Sequence, residues 1–267
     1  MRRLALLLCL ALGLQAAPPL FRKAGQGPGL LLIHGFGGNK EVWSEVAAEL
    51  AQDHTVLSVD LPGSGGSPGP ALAGDRADFG VLGRELAALV RREGLAPCVA
   101  VGHSMGGPIA ARAILEDPGA FRGLVLVDSF LSAIPGAYLD PTLAALEQDA
   151  STGLTVFFDL MTRGPEQTRR VVAEARRIPP AVLQAYLRAL GQDALGGRHA
   201  QLHLPVLQLA AGRRDPATEP ARKVQLGFQQ LPAFATIHFP GARHWVMWDA
   251  PEPFLVAVRA FEAGLRR

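Results

Sequence analysis

Cysteine is nearly missing from this chain: Cys9 and Cys98 are the two in 267 residues. Cys9 falls in an N-terminal stretch that reads as a removable leader. The mature chain then holds Cys98 alone, which excludes an intramolecular disulfide. Cys98 opens an apolar run and reads as an inert core residue. An excess of one charge is missing too, since 26 Lys and Arg face 24 Asp and Glu. Loss of Arg2 and Arg3 with the leader brings the two signs level, so no basic patch argues for nucleic acid as a partner. Long apolar runs are also absent. A membrane-spanning helix needs ~20 apolar residues, and Leu4–Leu14 is too short. Stable membrane insertion is not expected once the leader is gone.

The leader itself has a recognisable layout. Arg2 and Arg3 precede the apolar run Leu4–Leu14, and the small residues Ala16 and Ala17 follow it. A charged start, a short apolar middle and small residues at the cut make a secretory signal over residues 1–17. The expected location is secreted or periplasmic. The competing readings are an uncleaved N-terminal anchor and a misplaced start of the chain.

Apolar residues and chain breakers are plentiful. Hydrophobic residues make up 49% of the chain and charged residues 19%, enough for one large α/β domain over 18–267. The 30 Gly and 21 Pro fall mostly between apolar runs, as connectors. "LLLI" (Leu30–Ile33), "TVLSV" (Thr55–Val59), "CVAV" (Cys98–Val101), "LVLV" (Leu124–Val127), "PVLQLAAG" (Pro205–Gly212) and "ATIHF" (Ala235–Phe239) are short and almost uniformly apolar. Such runs suit strands buried on both faces. Helical patterns lie between them, over Glu41–Ala51, Asp78–Arg92, Met105–Glu116 and Pro251–Leu265. The alternation predicts a doubly wound, mostly parallel sheet with helices on both faces. From about 131 to 201 the strand signal stops. Helical patterns around Asp140–Gln148, Leu154–Met161, Glu166–Arg177 and Ala181–Leu190 predict a helical cap inserted after the Leu124–Val127 strand.

Gly102-His103-Ser104-Met105-Gly106 is a G-x-S-x-G pentapeptide between a buried strand and a helix. In that setting it forms a nucleophile elbow, which presents Ser104 at the apex of a strained turn. The Met105 N–H, at the helix start, is then a candidate donor to a developing oxyanion. The plainer reading is a tight turn that serine happens to fill.

"LLLIHGFGG", "VLSVDLPGSGGS", "VAVGHSMGG", "LVLVDS", "PVLQLAAGRRDP" and "FPGARHWVMWDAPEPF" follow one another in the order expected of the α/β-hydrolase superfamily. The chain resembles that superfamily from about Gly29 to Leu265, and within it the cap-bearing esterase, C–C hydrolase and haloperoxidase-like branch. The resemblance implies His244, in the loop "GARHW", as catalytic base. It implies the Phe36 N–H, in "HGFGG", as the second oxyanion donor. For the acid it favours Asp215, after the Pro205–Gly212 strand, with Asp128, after Leu124–Val127, as the alternative. Both satisfy the chain order Ser…Asp…His.

The other histidines have plainer readings. His103 is next to Ser104 in the chain and points away from productive geometry. His34 shapes its loop, His54 precedes a strand and His238 lies within one. His199 and His203 have the i,i+4 spacing of a metal pair, but no third ligand accompanies them. No metal and no organic cofactor is needed. The leading expectation is a serine carboxylesterase acting on small or medium acyl esters. C–C bond hydrolysis and acyl transfer or peracid formation remain open on the same residues, as does a non-catalytic binding protein.

Overall fold

Leu30–Ile33 meets Val99–Gly102 on one side and Val56–Val59 on the other, all running in one direction. A computed structural model describes residues 20–70 and 72–266 of the chain. The expected leader, residues 1–17, lies outside the described residues. The strands are β1 (Phe21–Ala24), β2 (Gly29–Ile33), β3 (Thr55–Val59), the short pair β4 (Leu72–Ala73) and β5 (Arg76–Ala77), β6 (Cys98–His103), β7 (Phe121–Val127), β8 (Val206–Ala211) and β9 (Phe234–Phe239). Seven of them form one sheet in the order β1-β3-β2-β6-β7-β8-β9. β1 runs antiparallel to β3 at one edge, and every other pairing in this sheet is parallel.

Burial follows the sheet position. β2 and β6, in the middle, are buried at every residue. β9, at the edge, alternates between half-buried and exposed until Phe239, as expected of a strand with one face in water. β1 is mostly exposed and carries Arg22 and Lys23, charged side chains that discourage pairing with another chain at a sheet edge.

Helices α1 (Ser44–Leu50), α2 (Phe79–Arg92), α3 (Gly106–Glu116), α8 (Glu219–Gln225), α9 (Val246–Asp249) and α10 (Pro251–Gly264) connect or follow the strands. In α2 the Asp78 carboxylate accepts from the N–H groups of Gly80 and Val81, capping the helix start. Its Leu82, Leu86, Leu89 and Val90 stripe is buried. Cys98 is fully buried at the start of β6. Burial pushes its thiol pKa up to about 12.

Between β7 and β8 lie four helices: α4 (Gly136–Gln148), α5 (Ala150–Asp159), α6 (Pro165–Ala175) and α7 (Pro180–Leu190). Pro165 and Pro180 open α6 and α7, where the missing N–H costs nothing. Phe158 of α5 packs against Phe36 and Trp245, at centroid distances of 6.2 and 5.9 Å, which seats this helical segment against the loops that follow β2 and β9.

Candidate active site

Two glycines of the pentapeptide are set by close approach. A Cβ at Gly102 would lie 2.5 Å from the Gly106 carbonyl oxygen, and one at Gly106 would lie 2.4 Å from that of Ile33. The turn after β6 can therefore close only with glycine on both sides of Ser104. Ser104 itself has φ +51°, and Asp128 has φ +41°. Among the described residues these are the two non-glycine positions with positive φ. Such backbone costs about 1–3 kcal/mol per residue and persists where the surroundings over-determine it. Here they do. The Ser104 N–H donates to the Val127 carbonyl at 3.0 Å, and the Asp128 N–H to that of Leu209 at 2.8 Å.

His244 sits in the loop between β9 and α9. Its Nδ1 is 2.7 Å from Asp128 Oδ2. Its backbone N–H donates to the Met161 carbonyl at 3.2 Å, and its carbonyl accepts from His103 Nε2 at 3.0 Å. The ring lies edge-on to Trp245, 5.1 Å between centroids. Asp128 Oδ1 accepts from the Ala211 N–H at 3.0 Å. Burial works to raise the Asp128 pKa. The hydrogen bond and charge of His244 outweigh it, with help from Ala211, and hold the carboxyl below the usual range.

This corrects the expectation for the acid. Asp215 is exposed, and both of its carboxylate oxygens are spent on its own turn, one on the Ala217 N–H and one on the Thr218 hydroxyl, each at 3.0 Å. It serves the turn that opens α8. The alternative, Asp128, is the carboxylate on His244.

His103 points beneath the site and supports it. It is buried, its ring centroid is 4.6 Å from that of His244, and it donates to the His244 carbonyl. Burial, then the nearby charge of His244, drives its pKa well below that of a free imidazole, so it stays neutral. His34 is also buried, and burial lowers its pKa to about 4. The Leu61 N–H donates to its Nε2 at 3.0 Å, so its proton sits on Nδ1, 2.8 Å from the Gly35 carbonyl oxygen.

The "HGFGG" loop runs beside the elbow. A Cβ on Gly35 would lie 3.0 Å from the Ser104 Cβ. The Phe36 N–H follows Gly35, and the Met105 N–H heads α3. Among the described residues neither donates to a protein acceptor. Ser104, His244 and Phe36 line one cavity of about 210 Å³ whose walls are mostly apolar, with Phe130, Leu139, Phe157 and Leu190 among them. A second cavity, of about 160 Å³, lies behind the loop at Asn39, Glu174 and Trp248 and does not include Ser104.

The remaining histidines are elsewhere. His199 gives Nε2 to the Leu131 carbonyl at 3.2 Å, and His238 Nε2 is 3.7 Å from Glu219. Among the described residues no group of three or more His, Cys, Asp or Glu is arranged to hold a metal ion. Ser129 had no signal in the sequence. Its hydroxyl donates to the Ser104 carbonyl at 2.6 Å.

The strand–elbow–helix geometry has its counterpart in known proteins. Residues 30–257 match the model of the alpha/beta hydrolase family, and the chain belongs to that family. It is 32% identical to a pimeloyl-[acyl-carrier protein] methyl ester esterase of Nitrosomonas europaea, over 86% of this chain and 94% of that one. Its fold is similar to that of an esterase from Rhodococcus sp. ECU1013, with a TM-score of 0.76, 25% identity and coverage of 94% and 98% of the two chains. A thermophilic esterase from Thermogutta terrifontis shares the fold with a TM-score of 0.77 and 21% identity, over 93% and 94% of the two chains.

Proposed function

We propose that this chain is a serine carboxylesterase whose nucleophile is Ser104, with His244 as base and Asp128 as acid. The observation that carries the reading is the 2.7 Å contact of His244 Nδ1 with Asp128, in a cavity that both His244 and Ser104 line. Relatives named as esterases support the ester chemistry.

The steps follow from the roles. Asp128 holds the His244 proton on Nδ1, which leaves Nε2 as the base. Nε2 takes the Ser104 proton as Oγ attacks the ester carbonyl. The negative charge that develops on the carbonyl oxygen is received by the N–H groups of Phe36 and Met105. Collapse expels the alcohol, which leaves with the proton from His244. Water then attacks the acyl-enzyme, again losing its proton to His244. The carboxylic acid departs and Ser104 is restored. The apolar cavity of about 210 Å³ suits a small or medium acyl group.

The test is labelling with a fluorophosphonate and turnover of a p-nitrophenyl ester. Wild type is expected to label and turn over. Ser104→Ala is expected to lose both while keeping its circular dichroism and melting transition. A folded wild type that neither labels nor hydrolyses esters overturns the reading. We infer further that residues 1–17 direct export, giving a secreted or periplasmic protein. N-terminal sequencing of the exported chain checks this, and an intact Met1 in a chain retained by the cells refutes it.

A further inference from the structure

A peptide unit is planar, and in the trans form its C=O and N–H point in opposite directions. Whatever holds the oxygen therefore aims the hydrogen. The proposed oxyanion donors belong to two such units. The Met105 N–H shares its plane with the Ser104 carbonyl, and the Phe36 N–H shares its plane with that of Gly35.

Both carbonyls are held in the same way. Ser104 O accepts from the Gly107 N–H at 3.0 Å and from the Ser129 hydroxyl at 2.6 Å. Gly35 O accepts from the Gly38 N–H at 3.2 Å and from His34 Nδ1 at 2.8 Å. In each case one backbone donor three residues on closes the turn, and one buried side chain adds a second bond.

The two side chains are themselves fixed. Ser129 is 3% exposed, and its carbonyl accepts from Gln208 Nε2 on β8 at 3.2 Å. A carbonyl oxygen has no proton to give, so the Ser129 hydroxyl is the donor, and its 2.6 Å contact with the Ser104 carbonyl is far shorter than the 3.4 Å to the Phe130 carbonyl. His34 is fully buried, and the Leu61 N–H on its Nε2 leaves Nδ1 as its donor. A hydrogen bond to an amide oxygen also polarises the amide, which makes its N–H a better donor.

We propose that Ser129 and His34 are positioning residues for the oxyanion hole, each aiming and polarising one donor N–H through the carbonyl of the same peptide. This rests on the reading of Ser104, Met105 and Phe36 given above. Neither side chain touches substrate. Their effect appears where the negative charge develops, so it belongs in kcat and not in KM.

The experiment measures kcat and KM for a p-nitrophenyl ester, and the inhibition constant of an alkyl boronate, which forms a tetrahedral adduct on serine. The variants are Ser129→Ala, Ser129→Cys, His34→Leu, His34→Asn and Ser104→Ala. Loss of a whole oxyanion donor costs ~10²–10³ in kcat, and loss of its orientation is expected to cost about tenfold to a hundredfold. Ser129→Ala should show that fall in kcat, an equal loss in boronate affinity and a KM within about twofold of wild type. Ser129→Cys, whose thiol is a weak donor, should lie between Ala and wild type. His34→Asn keeps an N–H near the place of Nδ1 and should retain more kcat than His34→Leu. If His34→Leu fails to fold, the Ser129 pair decides.

A Ser129→Ala enzyme with kcat within about twofold of wild type overturns the proposal. So does one whose kcat falls while boronate affinity stays unchanged. Failure of the underlying reading looks different: wild type is then inactive, or Ser104→Ala keeps turnover. An active wild type, a dead Ser104→Ala and an unaffected Ser129→Ala sink the positioning inference alone.

Discussion

Replacing Asp128 by Asn changes one oxygen to an NH2 group and leaves the side chain's shape intact. Asn also tolerates the positive φ that this position requires. The surroundings dictate how the amide turns. The Ala211 N–H donates to Oδ1 at 3.0 Å and would keep an oxygen there. The NH2 group then occupies the place of Oδ2, 2.7 Å from His244 Nδ1. Two donors cannot face each other, so Nδ1 must become the acceptor and the imidazole proton moves to Nε2. On the proposed mechanism Nε2 is the base, and a protonated Nε2 cannot take the Ser104 proton. The expected loss in kcat is about 10³–10⁴-fold for a wrong tautomer, or about 4–5 kcal/mol of barrier. The assay is steady-state hydrolysis of a p-nitrophenyl ester by Asp128→Asn and Asp215→Asn side by side, with melting curves as the folding control. Asp215 bonds only its own exposed turn, so Asp215→Asn should stay within about threefold of wild type. A larger loss from Asp215→Asn than from Asp128→Asn refutes the reasoning.

Three more outcomes follow from the same structure. The acyl cavity should reward chain length, with kcat/KM rising by up to about fourfold per methylene from acetate until the space is full. Ile134→Trp, on the cavity wall, should end that rise at a shorter ester, and an unchanged length profile counts against acyl binding there. Folding stability should fall as pH drops from about 6.5 towards 4. In that window unfolded His34 and His103 take up protons that the folded chain, with both pKa values depressed by burial, refuses. His34 accounts for about 3 kcal/mol of this loss, and a urea midpoint that is flat between pH 7 and 4.5 contradicts it. Cys98, buried with its thiol pKa pushed up to about 12, should resist a thiol-directed reagent at pH 8 until denaturant is added. Rapid modification of the native chain would show that β6 opens readily.

Much of this was legible along the chain because it is local. The apolar runs from Leu30, Thr55, Cys98 and Leu124 became β2, β3, β6 and β7. A strand buried on both faces must be apolar throughout, and few other elements are. The elbow was legible for a similar reason. Its glycines are neighbours of Ser104, and the backbone crowding that demands them arises within the turn and the adjoining end of β2. β1 was missed. "FRKA" is short, charged and mostly exposed, so an edge strand of this kind leaves little periodic signal.

By itself the sequence determined the alternation of buried strands and helices, the elbow around Ser104, and a shortlist of two carboxylates for one histidine. Tertiary structure alone decided between them. Asp128 and Asp215 both follow a parallel strand and both precede His244, so chain order treats them alike. Which one reaches the imidazole depends on how β7, β8 and the loop after β9 converge, across 116 residues of separation. The same holds for Ser129. Its bond to the Ser104 carbonyl joins two strand ends that are adjacent in the sheet and 25 residues apart in the chain. Local pattern records which face of an element is buried. It does not record which side chains the packed faces bring together, because that is set by the register of neighbouring strands.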